Sequence, residues 1–148
     1  MDSKEYLKSN FFIMYEELQQ AIDTYVDNTC DTRALKRVEA FLVATIHTLV
    51  DYAERYMDNN DERIRACRYV NNSIKHLDGF VTLKKVEGGI EFPMSFPFSS
   101  EPITIRWKES DLKCKSEEQN KAYKNCFVGK EIIATLQPIV DIIKADAD

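Results

Sequence analysis

A chain of 148 residues that is 44% hydrophobic and 30% charged has the composition of one ordinary globular domain, large enough to fold without metal or disulfide staples. Its net charge of −5 and pI near 5.1 exclude a broad, non-specific nucleic-acid surface, which needs excess Lys and Arg, but not a local basic pocket. Among Cys30, Cys67, Cys114 and Cys126 there is no C-x-x-C pair, and only 2 histidines accompany them, so neither a metal site nor a cofactor is expected.

Residues 4–28 read as the first helix. Leu7, Phe11, Met14, Leu18, Ala21 or Ile22, and Tyr25 recur at steps of three and four, which gathers them on one face. The start has Asp2 or Ser3 to cap it. This N-terminus has early acidic residues and no continuous apolar stretch, unlike a signal peptide. Nowhere does an apolar run approach the roughly 20 residues needed to span a bilayer, so a cytoplasmic protein without membrane contact is the expectation.

The polar break 27–33 offers Asp31 or Thr32 as the next cap, and a second helix runs over 32–58. Its stripe is Leu35, Val38, Leu42, Thr45 or Ile46, Leu49, Ala53 and Tyr56. At the edge of this stripe lies His47, which reads as a boundary histidine rather than a ligand. After the break 57–63, with Asn59 or Asn60 as cap, a shorter third helix over 61–78 buries Ile64, Cys67, Val70 or Asn71, and Ile74. It ends at Gly79, with Lys75 and His76 in the last turn, where positive charge suits the helix dipole.

Residues 80–115 change character. Gly88 and Gly89 mark a turn, prolines at 93, 97 and 102 punctuate the chain, and Ile103, Ile105 and Trp107 alternate with polar residues as in a half-buried strand. This predicts a small antiparallel β insertion over 80–115, which Trp107 anchors to the helices. A last helix over 116–145 starts at a Ser116 cap. It places Ala122, Cys126, Gly129, Ile132 or Ile133, Leu136, Val140 and Ile143 inward, and is kinked by Pro138. Cys67 and Cys126 read as small core residues. The expected fold class is mainly α: a single domain over 1–148, an up-and-down four-helix bundle with the β insertion between helices 3 and 4.

The chemistry concentrates in RACRYVNNSIKHLDG, residues 65–79. Arg68, Asn72 and His76 are spaced i, i+4, i+8 and form one ridge, with Arg65 and Lys75 beside it and Asn71 at its margin. A histidine exchanges protons near neutral pH, and an arginine holds a phosphate bidentately, so this set suits metal-free phosphodiester chemistry. Dipole complementation at a helix end would also place Lys75 and His76 here.

With its long helices and the RYVNNSIKH segment, the chain resembles the HEPN superfamily (higher eukaryotes and prokaryotes nucleotide-binding domain). Members are four-helix bundles, often dimers, and many are metal-independent ribonucleases of bacterial toxin–antitoxin, abortive-infection and CRISPR-associated systems. The family motif is an arginine, usually followed by a polar residue, with four to six residues in all between the arginine and a histidine. The resemblance implies His76 as general acid/base and Asn72 as the polar residue after the arginine. Asn71 stands in the arginine's place, with Arg68 one turn earlier as a phosphate clamp. Arg65 and Lys75 then serve as RNA-binding residues. An RNA substrate, a homodimer and an antitoxin or other protein partner are implied with them. The missing arginine supplies the alternative: a catalytically inactive HEPN-like binding or assembly module.

Overall fold

The computed structural model describes residues 2–75, 90–91, 104–109 and 116–146. These form a mainly helical protein: α1 (Ser3–Asp27), α2 (Thr32–Tyr56), α3 (Glu62–Lys75), α4 (Glu117–Cys126) and α5 (Ile132–Ala145). Strands β1 (Ile90–Glu91) and β2 (Thr104–Ile105) pair antiparallel, Ile90 opposite Ile105. Helix α1 lies along α2, α2 meets α3, and α3 packs on α4. None of the described helices is long and apolar enough to cross a membrane.

The helix starts follow side-chain chemistry. Asp2 accepts from the Glu5 amide, Asp31 from the amides of Arg33 and Ala34, and Ser116 from that of Gln119, each satisfying an otherwise unpaired donor. At α3 the capping carboxylate is that of Asp61, 2.9 Å from the Arg63 amide, and not the expected Asn59 or Asn60. Those asparagines are engaged by arginine side chains instead.

Burial follows the expected stripes with local exchanges. Along α1, Phe11, Leu18, Ala21 and Tyr25 are buried, and Tyr15 takes the place expected of Met14. Its phenol donates to Gln137 Oε1 at 2.8 Å, which ties α1 to α5. Burial and the carboxylates of Asp141 and Glu131 push the Tyr15 phenol up to about 12. On α2 both Thr45 and Ile46 are buried, while Tyr56 turns out to the surface and Tyr52 goes in.

The last helix is two helices. The chain breaks between Cys126 and Ile132, and Gly129 there is exposed with φ +78°, a conformation that glycine adopts without a Cβ penalty. The break serves β2's continuation. The Trp107 amide donates to the Lys130 carbonyl at 2.9 Å, and the Gly129 amide to the Trp107 carbonyl at 2.8 Å. Trp107 itself is 1% exposed, stacks on Phe127 at 4.6 Å and donates its indole N–H to Thr135 Oγ1 at 2.7 Å. Pro138 lies within α5. Cys67 is wholly buried and Cys126 half-buried against the core; burial raises both thiols, Cys67 the more.

Candidate functional site

Helix α3 forms because Ile64, Ala66, Cys67, Tyr69 and Val70 give it an apolar face, buried between α2 and α4. On α3 the Tyr69 ring stacks on Tyr123 of α4 at 4.5 Å. This packing fixes the rotation of the helix, and with it the positions of its polar side chains.

The first half of α3 carries three arginines, all tied to the break before it. Arg63 grips Asp61 through two nitrogens, at 3.3 and 3.0 Å, and these bonds hold the Asp61 carboxyl below its ordinary range. Arg65 donates to Asn60 Oδ1 at 3.3 Å and lies 3.7 Å from Glu118. Arg68 donates to Asn59 Oδ1 at 2.7 Å. Its Nε is buried with no hydrogen-bond partner among the described residues. A cavity of about 410 Å³ opens here, lined by Asn60, Glu62, Arg65, Glu118 and Lys121.

The second half carries the asparagines. Asn71 is 3% exposed, and its Oδ1 is 3.4 Å from Nδ1 of His47 on α2. The other ring nitrogen of His47, Nε2, lies 3.5 Å from Asp51 Oδ2, one turn along α2. Asn72 turns the other way and donates to Gln119 Oε1 of α4 at 2.9 Å. The two adjacent asparagines therefore bind α3 to different neighbours.

Of the residues singled out in the sequence, Asn71 and Asn72 lie side by side, whereas the guanidinium of Arg68 reaches back to the α2–α3 break. Lys75 closes the described part of α3, its side chain not included. His76, Gly79, Gly88, Gly89, the prolines at 93, 97 and 102, Ile103 and Cys114 lie outside the described residues. Sequence reasoning missed the contact of His47 with Asn71. The signal was present in two halves: His47 at the edge of one stripe and Asn71 at the margin of another.

Among the described residues, no three His, Cys, Asp or Glu side chains are grouped to hold a metal ion. The chain matches no family model, no curated protein and no solved structure.

Proposed function

We propose that this chain is a HEPN-like, metal-independent endoribonuclease of a bacterial defence or toxin–antitoxin system, cytoplasmic and working as a homodimer. In this reading the helices make one up-and-down four-helix bundle over residues 1–148, with residues 80–115 as a β insertion. His76 exchanges protons with the RNA, Arg68 clamps the phosphate, and Asn71 and Asn72 orient the reacting groups. Arg65 and Lys75 hold the RNA backbone. Two protomers are needed because one ridge is too sparse to surround a scissile phosphate.

The observation that supports the reading is that Asn71 and Asn72 are held in fixed orientations by bonds to His47 and Gln119 on separate helices. The test is incubation of the purified protein with total RNA in EDTA, beside His76→Ala. Cleavage by the parent protein and its loss in the variant is the expected result. Equal cleavage by both, or none by either, sinks the proposal.

A second reading is a non-catalytic HEPN-like binding or assembly module. Two observations favour it: Asn71, which the resemblance sets in the motif-arginine position, is nearly fully buried, and Arg68 is already engaged by Asn59. It predicts a stable dimer in sedimentation and no RNA cleavage.

A further inference from the structure

The C-terminal ends of α2 and α5 both line a cavity of about 430 Å³. Tyr56 and Met57 form its wall from α2, Ile142 and Asp146 its wall from α5, and Asp58 and Asp61 come from the break before α3. We propose that this cavity binds a small amphipathic cation, a primary amine carried on an apolar body. None of its lining residues is used by the ribonuclease reading, so the two stand or fall separately.

The charge of the ligand follows from the surroundings. Met57 and Asp146 are the C-caps of α2 and α5, so the partly negative ends of two helices lie at the cavity and favour a cation there. The basic residues of those last turns, Arg55 and Lys144, are not in its lining, and Arg55 donates to Ser3 Oγ at 3.1 Å instead. Two of the three carboxylates are already matched, Asp61 by Arg63 at 3.0 Å and Asp146 by Lys4 at 3.1 Å. Asp58 enters no ion pair among the described residues. Its Oδ1 accepts the Asn60 amide at 2.9 Å, which leaves the other oxygen for a ligand. The carboxylates are not grouped to hold a metal ion.

The chain's own Lys4 supplies an independent sign of the same preference. Its Nζ lies 5.3 Å from the centroid of the Tyr56 ring while it pairs with Asp146, so the aromatic and acidic walls together already seat one ammonium. The apolar body of the ligand has its own surface. Tyr56 and Ile142 are 36% and 41% exposed, and covering them releases water that a bare inorganic cation would leave in place. Tyr52, wholly buried, donates its phenol to Asp146 and ties the end of α5 to α2, so the cavity exists before a ligand arrives.

The experiment titrates the full chain with n-hexylamine at neutral pH and follows backbone amide resonances by heteronuclear NMR, beside n-hexanol and hexanoate. Hexylamine is expected to give saturable shifts at the amides of Tyr56, Met57 and Ile142. Hexanol is expected to bind about 5-fold more weakly or worse, and hexanoate not at all. Asp58→Asn keeps an oxygen for the Asn60 amide and is expected to weaken hexylamine about 5-fold. Tyr56→Leu stays apolar but loses the ring face, and is expected to weaken it about 3-fold. Equal affinity for hexylamine and hexanol overturns the proposal, because the cavity then selects apolar surface alone. No saturable shift by about ten millimolar hexylamine overturns it too, as does preferred binding of hexanoate. Asp58 is exposed, so Asp58→Asn decides the matter even if Tyr56→Leu does not fold: hexylamine binding unchanged in that variant places the amine elsewhere and sinks the site. None of these outcomes bears on the RNA-cleavage test.

Discussion

Helices α1 and α2 and helices α3 and α4 are built on different terms. The first pair are 25 residues each, and their packing face is almost wholly apolar, from Phe11 and Leu18 to Leu42 and Leu49. The second pair are 14 and 10 residues, and aromatic stacking there is supplemented by Asn72 with Gln119 and Asn125 with Glu62. Long stripes bury enough area to hold helices together without directional bonds. Short helices lack that area, and polar contacts that fix register matter more to them. The polar side chains of α3 are held by such contacts, Asn72 by Gln119 and Arg65 by Asn60.

The largest test of this contrast is Trp107→Ala, which removes the ring stacked on Phe127 and is expected to cost about 3–5 kcal/mol in denaturant unfolding. Leu42→Ala in the long pair is expected to cost about 2–5 kcal/mol, since Leu42 is 1% exposed. If Trp107→Ala proves the milder change, the short helices do not depend on their aromatic cluster.

Next comes Asn71→Ala. It strips a buried amide from His47 and is expected to cost about 1–3 kcal/mol, and Asn72→Ala, half-buried, is expected to cost less. Gly129→Ala is expected to cost about 1–2 kcal/mol, because φ is positive, although a Cβ there meets nothing within 4 Å. Equal stability would show that the break can relax.

Asp61→Ala removes the α3 cap and is expected to cost about 1 kcal/mol at neutral pH. The folded carboxyl titrates below its ordinary 3.8, so its contribution is complete above that value and is lost as pH falls through the folded pKa. The difference between parent and variant in thermal melting therefore shrinks below pH 4. Arg37→Ala, at the exposed pair with Glu17 3.6 Å away, is expected to stay within about 0.5 kcal/mol.

What the sequence made legible was the part set by local rules. Apolar periodicity located the described helices to within a few residues at the first three starts, and Asp2, Asp31 and Ser116 were readable as caps. The break at Gly129 was not legible, because Ala122, Ile132, Leu136 and Val140 keep an apolar face on both sides of it. Its cause is tertiary: the backbone of Trp107 claims the amide of Gly129 and the carbonyl of Lys130. The site divides in the same way. Spacing alone put Asn71 beside Asn72, but the pairing with His47 joins residues 24 apart on different helices and follows from how α2 and α3 pack. The return of Arg68 to Asn59 was equally hidden, since a long side chain on a helix has several reachable partners.

Trp107 is the chain's 1 tryptophan, and it sits at the junction of β2, α4 and α5. The molecule thus carries its own optical reporter at the point where its least sequence-evident feature forms. Indole emission shifts to the red when water reaches the ring, so fluorescence follows the opening of this junction without an added dye. Amide-region circular dichroism is dominated by the two long helices. A fluorescence transition that precedes the dichroism transition would time the release of the short helices from the long pair.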